Sequence, residues 1–201
     1  MDDAGHGTHV AGTIGAVGNN GIGVVGVSWK VKLMALKFLN SSGSGYSDDA
    51  AKAVHYVTNN GVRITNNSWG GWPSSNTLRE AIQTAQNLNI LFVAAAGNST
   101  SNNDRIPSYP ASYNFDNIIS VAATDKNDLF AYFSNSGLTT VDLAAPGVDI
   151  LSTLPNNDYG KKSGTSMATP HVTGALAFLL SKNPHYSLSK IKDILFGMTD
   201  K

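Results

Sequence analysis

Residues 90–98 read Ile90-Leu91-Phe92-Val93-Ala94-Ala95-Ala96-Gly97-Asn98, and the first seven of them form a continuous apolar run. An unbroken series of apolar side chains is typical of a strand buried on both faces, as in a parallel sheet covered by helices. Gly97 and Asn98 then mark the end of the strand and the start of a loop. The run therefore predicts a central strand that delivers a polar side chain to the edge of a sheet.

Strands and helices alternate along the chain on both sides of this run. Apolar patterns predict further strands at residues 31–38, 62–67 and 118–123. Helical spacing predicts helices that start near Ser47 and Thr77, and two more at residues 166–181 and 188–196. This order predicts an α/β fold of three layers, α/β/α, with a mostly parallel central sheet. Without an internal repeat or a linker, residues 1–201 are expected to form a single domain.

Three residues are predicted helix N-caps, because their hydroxyl groups can accept from the free N–H groups of a first helical turn. They are Ser47, Thr77 and Ser187. Glu80 follows Thr77 at the spacing of a capping box, which strengthens the second of these assignments.

The composition excludes several classes of function. Hydrophobic residues make up 41% and charged residues only 14%, and the formal net charge is zero. This balance argues against nucleic acid or an anionic membrane surface as a partner. The absence of cysteine excludes disulfides and thiolate metal sites. No apolar run approaches the roughly 20 residues that span a bilayer.

Three loops rich in glycine, serine and asparagine each follow a predicted strand. They lie at residues 40–47, 68–76 and 97–105. Because parallel strands end at the same edge of a sheet, we expect these loops to gather where open α/β folds place their sites.

Ser166 is the first candidate for chemistry. It stands in the segment Gly164-Thr165-Ser166-Met167-Ala168-Thr169-Pro170-His171-Val172, at the predicted start of an apolar helix. A serine there is usually an N-cap, but small neighbours also let a substrate backbone approach a nucleophile. The helix N-terminus would in addition offer N–H groups to a developing oxyanion.

A serine nucleophile needs a base, and His6 in Gly5-His6-Gly7-Thr8-His9 is the candidate. The remaining histidines are interpreted as structural; they are His9, His55, His171 and His185. Asn98 is either a turn residue or a side-chain donor to an oxyanion, and spacing alone leaves both roles open.

Taken together, these segments resemble the signature blocks of the subtilisin family of serine peptidases. The resemblance continues through further blocks, among them Asn67-Ser68-Trp69-Gly70-Gly71, Tyr109-Pro110-Ala111, Phe133-Ser134 and Ala144-Ala145-Pro146-Gly147. It extends from His6 to about Phe196 and is closer to the secreted bacterial members of the family. It implies a secreted, monomeric enzyme that acts on polypeptides.

The resemblance also implies a role for each matching residue. Ser166 matches the nucleophile, His6 the general base and Asn98 the side-chain donor of the oxyanion hole. Two walls of a substrate pocket are implied at Ser68, Trp69 and Gly70 and at Ala95, Ala96 and Gly97. Gly43, Ser44 and Gly45 match an edge that pairs with an extended substrate. Tyr109-Pro110 matches a position with a cis proline.

One element of the family pattern has no match. The triad aspartate of the family lies roughly 30 residues before the histidine, whereas only five residues precede His6. We do not expect Asp2 or Asp3 to replace it, because both are too close along the chain to reach the far ring nitrogen. The sequence therefore predicts an incomplete domain that is nearly inactive and marginally stable on its own.

Residues 18–24 resemble the loop that binds structural calcium in the family. The implied ligands are the Asn20 side chain and the carbonyl groups of Ile22 and Val24. Calcium prefers six to eight oxygen ligands, and an ion-free glycine-asparagine turn is an equal alternative.

Other functions fit the sequence less well. A non-catalytic peptide-binding relative would not need Ser166, His6 and Asn98 together. The glycine pattern Gly15-Ala16-Val17-Gly18 is incomplete for a dinucleotide site. The serine also lacks the G-x-S-x-G context of an esterase.

Overall fold

The computed structural model describes residues 2–71 and 73–200, and these residues form five helices and six strands. The helices are α1 (His6–Gly15), α2 (Ser47–Thr58), α3 (Asn76–Asn87), α4 (Thr165–Lys182) and α5 (Leu188–Gly197). The strands are β1 (Ile64–Asn67), β2 (Leu91–Ala95), β3 (Ile118–Thr124), β4 (Leu143–Pro146), β5 (Ile150–Leu154) and β6 (Asp158–Lys162).

The central sheet has the order β1-β2-β3-β4, and every pair in it is parallel. Asn67 on β1 is in register with Ala94 on β2, so these two strands end side by side. The remaining strands, β5 and β6, form a separate antiparallel hairpin. The predicted parallel sheet is confirmed, with β2 as an internal strand.

Both faces of β2 are buried, as its unbroken apolar sequence predicted. Phe92 and Ala94 pack on one side against α2 and α3, whereas Leu91 and Val93 pack on the other side against α4 and α5. Successive side chains of a strand point to opposite faces, so only a continuous apolar run can fill two cores. The three-layer α/β/α arrangement follows directly from this packing.

The strand predicted at residues 31–38 is wrong. These residues have no regular secondary structure, and residues 32–35 are exposed to solvent. A strand requires a neighbour for its N–H and C=O groups, and none of the described residues pairs with this segment in a sheet.

The predicted helix caps have mixed outcomes. Ser187 caps α5 as predicted, because its hydroxyl accepts from the backbone N–H of Lys190 at 3.3 Å. Thr77 is wrong as a cap: α3 begins at Asn76, and the hydroxyl of Ser75 accepts from Leu78 N–H instead. Ser47 is the first residue of α2, which begins without a side-chain cap from the preceding Tyr46. The peptide bond before Pro110 is cis, as the resemblance implied.

The hairpin of β5 and β6 holds α1 in place through His9. The His9 ring is fully buried, and its Nε2–H donates to the carbonyl oxygens of Ile150 at 2.9 Å and Gly160 at 3.1 Å. In return, the Ser152 hydroxyl donates to the backbone carbonyl of His9 at 2.7 Å. Burial lowers the pKa of His9, and the raising effect of its two carbonyl partners does not offset this. His9 therefore serves as a neutral, structural anchor.

We predict that His9→Ala lowers the free energy of unfolding at pH 7.5 by about 2–4 kcal/mol, because it leaves a cavity and two unpaired carbonyl groups. Since the folded-state pKa of His9 lies below its unfolded value, its contribution is complete above about pH 6.5 and declines as the pH falls. Urea unfolding of the full-length protein, meaning residues 1–201 together with any chain that precedes or follows them, should therefore show a smaller difference between wild type and variant at pH 5. The exposed His185 provides the control, because His185→Ala should change stability by less than about 0.5 kcal/mol. An equal loss for both variants would contradict the anchoring role.

Candidate active site

A cavity of about 330 Å³ opens where β1 and β2 end, beside the N-terminus of α4. Its walls come from the loops after both strands and from the first turn of the helix. The lining residues are Trp69, Gly70, Gly71, Ala95, Gly97, Asn98, Ser99, Ser101, Ile106, Pro107, Ser108, Asn135, Thr165 and Ser166. Two of the three predicted loops, 68–76 and 97–105, thus meet at the expected edge of the sheet.

Ser166 lies in the first turn of α4 and is half-buried. Its hydroxyl donates to the carbonyl oxygen of Ser68 at 3.1 Å, and the Ser68 hydroxyl donates to the Ser166 carbonyl at 2.8 Å. Gly164 precedes the helix with φ of 152°, a conformation that favours glycine. Ser166 is therefore not the N-cap, which removes the simplest structural explanation for a serine at this position.

The Asn98 side chain accepts hydrogen bonds from the first residue of α4. Its Oδ1 accepts from the backbone N–H of Thr165 at 2.8 Å and from the Thr165 hydroxyl at 2.9 Å, so it caps α4 from outside the helix. These two bonds fix the amide plane. The Nδ2 group makes no hydrogen bond within the described part of the chain, and Asn98 is one of the residues that line the cavity.

The Asn98 amide and the backbone nitrogen of Ser166 both lie close to Gly164. A Cβ atom placed on Gly164 would lie 3.3 Å from Asn98 Nδ2 and 3.7 Å from the backbone nitrogen of Ser166. The same position is 3.8 Å from Asn98 Oδ1, which is already occupied by Thr165. The two nitrogen atoms that could donate to an oxyanion beside Ser166 therefore lie on the same side of Gly164.

His6 is the first residue of α1, and α1 packs directly against α4. Val10 and Ile14 form a buried cluster with Met167, and Gly174 lies next to the carbonyl of Ile14. The two helices therefore run in the same direction, which places His6 and Ser166 at the same end. Among the described residues, the His6 ring makes no hydrogen bond, and the Ser166 hydroxyl donates to Ser68 instead.

Burial lowers the pKa of His6, and the positive charge of Lys162 lowers it further. Asp2 acts in the opposite direction through its negative charge. The imidazole is therefore neutral at pH 7, which is the form that a general base requires.

Neither acidic residue near His6 pairs with its ring. Asp2 instead accepts from Gly5 N–H at 3.0 Å and from the N–H and hydroxyl groups of Thr8 at 2.7 and 2.8 Å. Burial raises the pKa of Asp2, but these hydrogen bonds outweigh it and lower the pKa overall. Asp3 pairs with Lys37 at 3.1 Å. These contacts agree with the expectation that neither residue replaces a triad aspartate.

The other predicted substrate residues are placed as follows. Four of them line the cavity: Trp69, Gly70, Ala95 and Gly97. Ser68 does not line it but exchanges two hydrogen bonds with Ser166. Ala96 is fully buried and does not line the cavity. The turn at Gly43, Ser44 and Gly45 is exposed and lies outside the cavity lining; it closes on the side chain of Asn40.

Sequence reasoning missed several lining residues, among them Ile106, Ser108, Asn135 and Thr165. Thr165 stands next to Ser166 and could have been found from its position alone. Asn135 is 37 residues from Asn98 along the chain, and nothing in its local pattern distinguishes it from a loop asparagine.

The loop that resembles a calcium site does not form a complete one. It surrounds a second cavity, lined by residues 17–25, but Asn20 Oδ1 accepts from the N–H of Ile22 at 3.0 Å. One amide oxygen and the carbonyls of Ile22 and Val24 are three neutral ligands, fewer than calcium requires. No cluster of acidic or histidine side chains that could hold a metal occurs in residues 2–71 and 73–200. Among the described residues, no helix has the length and apolar character needed to cross a membrane.

Comparisons with known proteins agree with this architecture. A sequence profile described as the Subtilase family matches residues 1–199. Subtilisin DY of Bacillus licheniformis is 45% identical over 195 residues, which are 96% of this chain and 70% of that protein. Subtilisin Savinase of Lederbergia lenta is also 45% identical, over 97% of this chain and 70% of its own length. The crystal structure of a cold adapted subtilisin-like serine proteinase superimposes with a TM-score of 0.87 and 36% identity, over 98% of this chain and 68% of the other.

We predict that Lys162→Met raises the pKa of His6, because it removes a positive charge that disfavours the imidazolium form. Asp2→Asn should lower the same pKa, because it removes the opposing negative charge. Both can be measured by following the histidine ring signals in an NMR titration of the protein. Lys161 is the matched control, since it is the preceding residue on β6 and makes no contribution to the His6 pKa. A His6 pKa that stays constant in Lys162→Met would contradict this account of the site.

Proposed function

The chain belongs to the subtilase family, and on this basis we propose that it is the core of a serine endopeptidase with Ser166 as nucleophile. The observation that carries the proposal is the environment of Gly164, where a Cβ would lie 3.3 Å from Asn98 Nδ2 and 3.7 Å from Ser166 N. Two N–H groups converging beside a serine hydroxyl are suited to a tetrahedral oxyanion. A protein that only bound peptides would have no use for this arrangement.

The proposed reaction is acyl transfer. The Ser166 hydroxyl rotates away from the Ser68 carbonyl, transfers its proton to His6 and attacks the carbonyl carbon of a peptide bond. Asn98 Nδ2 and the Ser166 N–H stabilise the resulting oxyanion. His6 then protonates the leaving amine, and water releases the acyl group from Ser166.

We infer that the cavity binds the side chain that precedes the scissile bond. Trp69, Ile106 and Pro107 give it apolar walls, and none of its lining residues is charged. A volume of about 330 Å³ accommodates a large uncharged side chain. The backbone on either side would pair with exposed backbone of the protein, including that of residues 43–45, as in recognition by strand addition.

Three further features of the proposal follow from the family resemblance. We expect a secreted enzyme, a monomer, and calcium bound at residues 18–24 only if additional ligands complete the loop. The binding of calcium would stabilise the fold and would take no part in the reaction.

The first test of the proposal is covalent labelling. We predict that a fluorophosphonate labels the full-length protein at Ser166 in a one-to-one ratio, because the probe reports an activated serine. Ser166→Ala should abolish labelling, and Ser181→Ala, an exposed serine on the same helix, should leave it unchanged. Labelling is measured by mass spectrometry of the digested protein. An intact protein that takes up no probe would instead support the non-catalytic, peptide-binding alternative.

The second test concerns the uncharged cavity. We predict that kcat/KM for peptide substrates is at least about a hundredfold higher with phenylalanine than with glutamate before the scissile bond, because an unpaired charge is costly to bury. Ser108 lies between the two walls, since its hydroxyl is 3.2 Å from a Cβ placed on Gly97. Ser108→Asp should therefore raise the lysine-to-phenylalanine ratio by about tenfold. Ser136→Asp, on a neighbouring loop outside the cavity, is the control. Equal ratios in both variants would show that the side chain binds elsewhere.

A further inference from the structure

Two buried carboxamides lie behind the loop that carries Asn98. Asn103 is 1% exposed and Asn135 is 3% exposed, and the Nδ2 group of Asn135 donates to Asn103 Oδ1 at 3.0 Å. Asparagine is rarely buried to this extent, and its polar groups must then all find partners within the protein.

Both amide nitrogens donate to a single backbone oxygen just before Asn98. The carbonyl of Ala96 accepts from Asn103 Nδ2 at 2.8 Å and from Asn135 Nδ2 at 3.1 Å. The backbone N–H of Asn135 also donates to the carbonyl of Gly97 at 2.9 Å. The pair therefore fixes the chain on the N-terminal side of Asn98.

The same pair also fixes the chain on the other side of Asn98. Oδ1 of Asn135 accepts from the N–H of Ser99 at 2.8 Å and from the N–H of Ser101 at 3.1 Å. Gly97 makes this close approach possible, because a Cβ there would come within 2.4 Å of Asn135 Nδ2. Asn135 thus forms hydrogen bonds with the backbone on both sides of Asn98, the proposed donor to the oxyanion.

The Asn98 side chain itself is exposed, and within residues 2–71 and 73–200 its only hydrogen-bond partner is Thr165, which donates to Oδ1. Displacements of about 1 Å at a catalytic group can cost a hundredfold in rate. The position of Nδ2 therefore depends on how rigidly the backbone at residues 96–101 is held.

We propose that Asn135 and Asn103 are positioning residues, which hold Asn98 Nδ2 where the oxyanion forms. This inference rests on the proposed function, because it requires Asn98 to be an oxyanion donor. Neither residue transfers a proton or contacts the reacting atoms. Asn135 also lines the cavity, so its loss can weaken substrate binding, but at saturating substrate its effect on kcat passes through Asn98.

The experiment compares kcat in two backgrounds of the full-length protein, at saturating substrate and with active-site titration to correct for unfolded material. Asn98→Ala alone should lower kcat by about a hundredfold to a thousandfold, the range known for the loss of one such donor in subtilisin, a relative of this protein. Asn135→Ala should lower kcat by about tenfold or more in the wild-type background. In the Asn98→Ala background the same substitution should change kcat by less than about twofold, because no donor remains to be misplaced.

Asn103→Ala provides a second route if Asn135→Ala does not fold, and it should show the same dependence on background. Asn102→Ala is the matched control, since Asn102 is exposed on the same loop and its side chain accepts only from Asp104 N–H. It should leave kcat unchanged in both backgrounds.

Two results would overturn the inference. One is an equal fall in kcat in both backgrounds, which would indicate a general structural role. The other is an unchanged kcat in the wild-type background. These are distinguishable from failure of the proposed function, in which the wild-type protein itself would show no turnover that Ser166→Ala abolishes.

Discussion

The junction between the N-terminus of α4 and the end of β2 is the contact on which the rest of the site depends. Thr165 is fully buried there; its hydroxyl accepts from Gly97 N–H at 3.2 Å and donates to Asn98 Oδ1. The Thr165 N–H donates to the same oxygen. Asn98 and Thr165, which are 67 positions apart in sequence, are thereby held together. Asn98 Oδ1 satisfies the N–H and hydroxyl groups of the buried Thr165, which would otherwise lack a partner.

This junction requires α4 to begin at a fully buried residue, Thr165. The apolar composition of the helix makes this possible. α4 packs against the whole central sheet, α1 and α5, so it is apolar on nearly every side, and ten of its residues are buried. Such a helix would aggregate if exposed, but enclosed between layers it directs its free N–H groups at the carboxyl edge of the sheet. The positive end of the helix dipole then favours negative charge where the cavity opens.

The sequence predicted the elements whose patterns depend on burial alone and failed where a partner or a competing residue decides the outcome. The apolar run of β2 and the helix after Gly164 could be recognised because β2 is buried on both faces and the helix is apolar on nearly every side. Residues 31–38 have a strand pattern but no neighbouring strand among the described residues. At α3, Thr77 was the predicted cap, but the backbone conformation makes Ser75 the cap instead. His6, Ser166 and Asn98 were identified by family resemblance, whereas Asn103 and Asn135 look like ordinary loop residues until folding buries them.

The proposed oxyanion donors are held in place by hydrogen bonds, whereas the proposed base, His6, lacks a partner for its charged form in the described part of the chain. Around the oxyanion, Asn98, Thr165 and the buried carboxamides are all hydrogen-bonded in one consistent network. Around the base, burial and Lys162 both oppose the positive charge that His6 would acquire when it accepts a proton. Asp2 offsets this only in part, because its oxygens already accept from Gly5 and Thr8. Efficient catalysis through His6 therefore requires a further carboxylate against its ring, and none of the described residues supplies one.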